Sequence, residues 1–360
     1  MGALMRGLRL VLVAALLVVV APSTQVASAG GPTLTQLIGQ KLVVRMEGTT
    51  PSADLLGRIR RGEIGGVVLF GSNITTRAAL ISLTAELHAA ARAGGQPRFL
   101  IAVDQEGGPV KRIPWAPPTL SAPAMGRIGS ASVARTQGAD TGAALHALGI
   151  DIDLAPVADI ATATGFMYRD GRTWSISAVK TALLADAFAS GLESTGVMPS
   201  MKHFPGLAFA TRNTDAYAVT IGMSRLRLAP GLKPYRTAIG HHIPMIMLSN
   251  ATYPAYDSVN AASWSHAIST SLLRGSLGFR GVTITDSLTG TAKARGVRTS
   301  TLAFRAARAG TDMILLTDSE ASTRAVFASL LTRVANGSLS RATLQASYVR
   351  IMAMKAGASG

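Results

Sequence analysis

Short apolar runs recur along the chain, and each is separated from the next by enough sequence for a helix. Apolar runs bounded by glycine or polar turns, alternating with amphipathic stretches, are typical of parallel strands joined by helices. The pattern predicts eight strands, at residues 41–46, 66–70, 99–103, 152–157, 197–203, 245–249, 282–285 and 313–316. Helical spacing of apolar residues predicts helices at 76–93, 179–194, 265–277 and 301–309. Gly278 and Gly310 stand where helix C-caps are expected.

The eight strand and helix units follow one another without a Pro-, Ser- or Gly-rich linker. This continuity predicts an α/β fold in which one (β/α)₈ barrel occupies residues 30–360. An open doubly wound sheet is the alternative, but no Gly-x-Gly-x-x-Gly turn follows the first strand. In a barrel of this kind the residues that carry chemistry lie at the carboxyl ends of the strands. Candidate site residues are therefore expected there.

The N-terminus has the pattern of a secretory signal peptide. Arg6 and Arg9 precede an unbroken apolar run at residues 10–21, and Ala27-Ser28-Ala29 provides a cleavage site. About a dozen apolar residues fall short of the roughly 20 that span a bilayer, although an uncleaved membrane anchor remains the alternative. We therefore predict removal of residues 1–29, no transmembrane segment in the mature protein, and a secreted or cell-wall-associated location.

Composition narrows the possible chemistry. With 48% hydrophobic and 15% charged residues among 360, the chain is not expected to be disordered. It contains no cysteine, which excludes disulfides, thiol nucleophiles and thiolate metal sites. The formal net charge of +16 becomes +14 without Arg6 and Arg9. Such a charge favours anionic cell-wall polymers as partners or only maintains solubility. Nucleic acid is not an expected partner, because the chain has no run of five like charges.

Polar residues follow the predicted strands at the end where a barrel carries its site. They are Asp104 and Glu106 after the third strand, Asp159 and Arg172 after the fourth, Lys202 and His203 at the fifth, Asn250 after the sixth and Asp286 after the seventh. Taken singly, an aspartate could cap a helix and His203 could be a hydrogen-bonded core residue. Together, carboxylates with Lys, Arg and His predict a site for an uncharged ligand rich in hydroxyl groups. Sugars fit this description, and hydrolysis of a glycosidic bond requires an acid and a nucleophile or base.

Six ordered motifs resemble the N-terminal barrel domain of glycoside hydrolase family 3, above all its single-domain bacterial β-N-acetylhexosaminidases. They cover essentially the whole predicted mature chain. The matching segments are Ile38-Gly39-Gln40, Gly65-Gly66-Val67-Val68-Leu69-Phe70 with Asn73, Ala102-Val103-Asp104-Gln105-Glu106-Gly107-Gly108, Leu154-Ala155-Pro156-Val157-Ala158-Asp159, Lys202-His203-Phe204-Pro205-Gly206, and Leu273-Arg274 through Gly278-Phe279-Arg280-Gly281-Val282 to Asp286-Ser287-Leu288.

The resemblance implies a retaining exo-β-glycosidase that acts on glycans containing N-acetylglucosamine (GlcNAc), such as cell-wall fragments or chitooligosaccharides. Asp286 matches the family's nucleophile. The residues that match its sugar-binding positions are Asp104, Arg172, Lys202 and His203. No cofactor is implied. No metal is expected either, since the chain lacks paired metal-ligand motifs.

The chain departs from the family pattern at three places. Pro109 stands where an arginine usually follows Glu-Gly-Gly, with Arg112 three residues later, and Ser287 replaces a second acid after the nucleophile. In the loop after Lys202-His203, the family's Asp-Ser-His reads Asn213-Thr214-Asp215, so the histidine of its proton-transfer dyad is absent. Asp215 could serve as the general acid instead, because a carboxylic acid with a raised pKa can donate a proton. The alternative is a catalytically degenerate barrel that binds glycan without turnover.

Overall fold

A computed structural model describes residues 31–357 and Gly2. Residues 31–357 contain a parallel eight-stranded barrel. The predicted signal peptide, residues 1–29, lies outside these described residues apart from Gly2. Among the described residues, 33–357 belong to one compact unit. The barrel strands are β1 Leu42–Arg45, β2 Gly66–Leu69, β3 Leu100–Val103, β4 Ile152–Asp153, β5 Met198–Phe204, β6 Met245–Leu248, β7 Val282–Thr285 and β8 Ile314–Leu316.

The strands are hydrogen-bonded in the spatial order β7-β6-β5-β4-β3-β2-β1-β8. Leu42 lies opposite Ile314 where β1 pairs with β8, and Val282 lies opposite Met245 where β7 pairs with β6. A parallel bridge between Ile284 and Met313 joins β7 to the start of β8 and closes the circle. All eight predicted strands are thus present in a single (β/α)₈ barrel.

The barrel strands separate two buried apolar layers. One cluster fills the barrel and includes Val43, Leu100, Met245, Met247 and Ile284, while a larger cluster lies between the strands and the helices. The methionines of β6 therefore fill the barrel, as their position in an apolar strand indicates. The buried side chains fill the interior of the barrel as a packed core. A ligand site is therefore expected over an end of the barrel and not inside it.

Helices surround the barrel and follow most of the predicted bounds. The α-helices are Leu34–Gly39, Ala53–Arg60, Arg77–Ala93, Ala122–Ile128, Ala131–His146, Phe166–Arg169, Ala178–Glu193, Arg225–Leu228, Lys233–Gly240, Leu288–Ala294, Thr299–Ala309, Glu320–Ala335 and Arg341–Gly357. Short 3₁₀ segments are Gly71–Asn73, Ala229–Leu232 and Ala262–Trp264. Gly310 ends its helix in the left-handed conformation, with φ 92°. Among these described residues, no helix combines the length and apolar character needed to cross a membrane.

Two local predictions differ from the structure. Residues 265–277 contain a π-helix, Ala267–Ser276, in which the amide of Leu277 reaches the carbonyl of Leu272. The fourth strand was expected to reach residue 157, but β4 ends at Asp153, and Val157 forms only an isolated bridge with Lys202. Pro156 lies between them and has no N–H to contribute to a strand ladder, which accounts for the early end.

Candidate active site

The carboxyl ends of the strands surround a cleft of about 710 Å³. Val68, Met247 and Leu315, from three barrel strands or their ends, form part of its apolar lining. All six residues predicted for the site also line it, namely Asp104, Arg172, Lys202, His203, Asp215 and Asp286. Their strands are parallel, so their carboxyl ends meet at one rim, and this explains why residues far apart in the chain share one cleft.

A cluster of paired charged side chains lies at one side of the cleft. Nζ of Lys202 lies 2.6 Å from Oδ1 of Asp104 and 2.7 Å from Oε1 of Glu106. Arg172 binds the same glutamate through two bonds, Nε to Oε2 at 2.9 Å and Nη2 to Oε1 at 2.7 Å. Two-point pairing between a guanidinium and a carboxylate fixes the plane of both groups. Arg172 and Lys202 are therefore held in place before a ligand binds.

The sequence places Glu106 at the rim but gives it no individual role, whereas in the structure it binds both Arg172 and Lys202. Burial alone would raise the pKa of its carboxyl, but the charges and hydrogen bonds of Lys202 and Arg172 outweigh this effect and lower the pKa to about 2. A lowered pKa stabilises the fold above the ordinary pKa of a glutamate, and this stabilisation is lost as the pH falls from about 4.5 towards 2. Its position two residues after Asp104, in the same motif, was the available signal.

His203 is oriented by a buried aspartate. Its Nδ1 donates to Oδ2 of Asp159 at 2.7 Å, and Oδ1 of Asp159 accepts the backbone amide of Leu207 at 2.6 Å. Asp159 is therefore an orienting group for the ring and not a helix cap. With Nδ1 occupied, Nε2 is the ring nitrogen left for a ligand in the cleft.

Asp286 follows β7 directly and is half-buried in the cleft. Its backbone amide donates to the carbonyl of Leu248 at 2.9 Å, and its Oδ1 accepts the amide of Ser287 at 2.8 Å. The next segment is secured by Asn250, whose Nδ2 donates to the carbonyl of Ser287 at 2.7 Å. Ser287, not Asp286, is the N-cap residue of the helix Leu288–Ala294. The carboxylate of Asp286 is thus presented to the cleft by a braced turn.

Asp215 reaches the same cleft from the loop after β5, where it is an exposed residue that forms part of the cleft lining. Desolvation of its carboxyl raises its pKa, and repulsion by the charge of Asp286 raises it further. His203 and Arg172 act in the opposite direction, and the resulting pKa is about 7. A carboxyl group of this pKa is protonated in a large part of the molecules near neutral pH, so Asp215 can donate a proton there while facing a second carboxylate.

Arg112 lines the cleft, although the sequence gives it no assigned role. Its guanidinium lies over the ring of Phe70, 5.4 Å from the centroid, and its Nη2 is 3.6 Å from Oδ2 of Asp104. Pro109 also lines the cleft. An arginine therefore lies in the cleft although the position after Glu-Gly-Gly is a proline.

Comparison with known proteins shows to which family the chain belongs. Residues 33–354 match the family model described as the glycosyl hydrolase family 3 N terminal domain. The chain belongs to glycoside hydrolase family 3. The resemblance inferred from the six motifs is thereby confirmed. Within residues 31–357, no group of three or more His, Asp or Glu side chains is arranged to hold a metal ion.

Individual family members support a finer description. A protein of Arthroderma benhamiae, named an uncharacterized secreted glycosyl hydrolase, is 33% identical over 326 residues, which cover 88% of this chain and 92% of that protein. A β-hexosaminidase of Nitrosospira multiformis is 30% identical over 80% of this chain and 83% of its own. The structure of a family 3 β-N-acetylglucosaminidase from a Paenibacillus species aligns with a TM-score of 0.85 and 30% identity, over 91% of this chain and 63% of that one. This chain is a glycosidase of the family 3 β-N-acetylhexosaminidase type.

Proposed function

We propose that the protein is a secreted, retaining exo-β-N-acetylhexosaminidase that removes terminal GlcNAc from cell-wall fragments or chitooligosaccharides. Asp286 is the nucleophile and Asp215 the general acid and base. The observation that carries the proposal is that these two carboxyl groups line one cleft. Their electrostatic repulsion helps to raise the pKa of Asp215. A retaining glycosidase needs this division between an ionised and a protonated carboxyl group.

In the first step, the carboxylate of Asp286 forms a bond to the anomeric carbon while the bond from that carbon to the glycosidic oxygen breaks. Asp215 gives its proton to the departing oxygen, which leaves as an alcohol. In the second step, Asp215 takes a proton from water as the water oxygen attacks the anomeric carbon. The ester bond from that carbon to Asp286 breaks as the new bond forms and frees the carboxylate, and the product keeps the β configuration.

Four further side chains hold the sugar in the cleft. Asp104 and the oriented ring of His203 are hydrogen-bond partners for its hydroxyl groups, and Arg172 and Lys202 add charged donors. Because Glu106 already holds Arg172 and Lys202, and Asp159 holds the ring of His203, little entropy of these three side chains is lost on binding. The names of the Nitrosospira and Paenibacillus proteins support GlcNAc as the sugar.

The proposal is tested with purified protein and a GlcNAc disaccharide. We expect release of GlcNAc from the disaccharide. With an aryl β-N-acetylglucosaminide, whose only sugar product is the transferred GlcNAc, proton NMR during the first turnovers should detect the β anomer before mutarotation produces the α anomer. Initial release of the α anomer would contradict the retaining mechanism. Binding of the disaccharide without cleavage of it or of an aryl glycoside would instead establish the non-hydrolytic alternative, a barrel that only binds glycan.

Export is proposed from the N-terminal pattern and is supported by the name of the secreted Arthroderma relative. Expressed in a bacterial host, the protein is expected outside the cytoplasm with Gly30 as its first residue, as shown by N-terminal sequencing. A product that retains residues 1–29 would contradict cleavage.

The charge of +14 on the cleaved protein favours binding to anionic wall polymers, and salt should then release the protein from isolated walls.

A further inference from the structure

The loop that carries Asp215 is attached to the neighbouring loop after β4. We call residues 207–217 the acid loop. The hydroxyl of Thr162 donates to the carbonyl of Ala208, and the backbone amide of Phe166 donates to the carbonyl of Ala210 at 2.8 Å. Both donors belong to the segment that follows β4. Two carbonyls of the acid loop are therefore bound to a second loop of the barrel rim.

Arg169 extends this attachment towards the acid. Its Nη2 donates to the carbonyl of Thr211 at 2.7 Å, and its Nη1 donates to the carbonyl of Thr164 at 2.6 Å. One guanidinium thus connects the acid loop to the loop after β4. Because a guanidinium is planar and rigid, two bonds from it fix the distance between the two carbonyls.

Beyond Thr211, the acid loop folds into a tight turn. Oδ1 of Asn213 accepts the backbone amide of Asp215 at 2.9 Å, and the carbonyl of Asn213 accepts the amide of Tyr217 at 3.0 Å. A displacement of this turn would therefore carry the Asp215 backbone with it.

The opposite side of the acid loop rests on Gly290, in the helix Leu288–Ala294 that follows Asp286. A β-carbon built on Gly290 would lie 2.1 Å from the carbonyl oxygen of Asp215 and 3.0 Å from its carbonyl carbon. Non-bonded carbon and oxygen atoms need more than 3.0 Å, so any side chain at this position would displace the acid loop. The backbone that bears Asp215 therefore packs directly on the helix next to Asp286.

We propose that Arg169 and Gly290 are positioning residues for the general acid. Arg169 anchors the acid loop on the side of β4, and Gly290 lets it approach the helix after β7 closely enough for Asp215 to face Asp286. The proposal rests on the proposed role of Asp215 as the acid. Arg169 is not among the residues that line the cleft, whereas Gly290 is. In this scheme each residue acts by placing the Asp215 carboxyl.

The test substitution is Gly290→Ala, which adds one carbon and no charge. To restore normal contact, the backbone at Asp215 must move by nearly 1 Å, and a misplacement of about this size can reduce a rate by about 10²-fold. We expect kcat/KM for a GlcNAc disaccharide to fall by about 10²-fold, and kcat/KM for a dinitrophenyl glycoside to change by less than about threefold, because its leaving group needs no proton.

The matched control is Gly240→Ala, at the end of the helix Lys233–Gly240, where an added β-carbon meets no atom within 4 Å. It should leave both activities unchanged. Retention of dinitrophenyl glycoside cleavage by Gly290→Ala shows that the barrel is folded and that Asp286 is in place. Arg169→Ala should cause a smaller loss in the same direction, and Arg169→Lys should restore part of it.

A double substitution separates this proposal from the assignment of the acid. If Gly290 acts through Asp215, then Gly290→Ala in an Asp215→Ala background should cause no further loss on the disaccharide. A full additional loss, or equal losses of Gly290→Ala on both substrates, would overturn the positioning role. If Asp215→Ala alone lowers both substrates equally, the assignment of the acid fails instead, and the two failures are thereby distinguished.

Discussion

Replacement of Asp286 by alanine should abolish hydrolysis of both a GlcNAc disaccharide and an aryl β-N-acetylglucosaminide. We expect a loss of kcat on the order of 10⁴-fold or more, the scale found when a covalent nucleophile is removed. The rate should fall for both substrates because formation of the glycosyl-enzyme requires the carboxylate, whatever the leaving group is. Asp286 lies at a strand end, outside both apolar clusters, so the fold should persist.

The matched control for Asp286→Ala is Asp140→Ala, which removes an exposed carboxylate on the helix Ala131–His146, outside the cleft. This variant should keep activity within a few-fold of the unaltered protein, and circular dichroism should show that both variants are folded. A fluorinated glycoside that forms a slowly hydrolysed ester should label the peptide containing Asp286, as detected by mass spectrometry. Near-normal turnover by Asp286→Ala, or a label on another residue, would remove Asp286 from the mechanism.

Asp215→Ala should lower kcat/KM for substrates with a poor leaving group much more than for substrates with a good one. With a natural disaccharide, we expect kcat/KM to fall by roughly 10²- to 10⁴-fold, the usual contribution of a positioned acid. With a dinitrophenyl glycoside, kcat/KM should change little, because the departing phenolate is stable without a proton. The second step also needs Asp215, as a base, so kcat should fall until azide is added as a nucleophile that needs no deprotonation.

The pH profile gives an independent measurement for Asp215. Its pKa of about 7 means that the protonated, proton-donating form is present below about pH 7 and is lost as the pH rises through this value. For the disaccharide, kcat/KM of the unaltered protein should therefore decline above about pH 7. The decline should be absent for the dinitrophenyl glycoside. A decline of equal size on both substrates would assign this ionisation to a group other than the general acid.

Much of the fold follows from the order of apolar runs. All eight strands were predicted, because strands buried on both faces have few polar positions and end at glycine or polar turns. The π-helix Ala267–Ser276 was not predicted as such. Over ten residues, the apolar periodicity does not distinguish its winding from that of an α-helix.

The sequence also located the candidate site, because the carboxyl end of each strand is defined once the strand itself is recognised. It placed Asp104, Lys202 and Asp286 at one rim, and the cleft contains all three. It did not assign Glu106, since Asp104 and Glu106 occur in the same motif and only the fold shows that Glu106 is the one bound by both Lys202 and Arg172.

The sequence by itself determined the barrel, the family and the set of polar residues at its rim. The tertiary structure decided how these residues affect one another. Asp215 is one of several loop acids in the sequence, and its pKa is raised only because the fold places its carboxyl in the cleft, where it is partly desolvated and near Asp286. Likewise, nothing in the local sequence of Gly290 indicates that the backbone of Asp215 packs against it. Electrostatic and steric effects depend on distances through space, and the order of residues along the chain does not specify those distances.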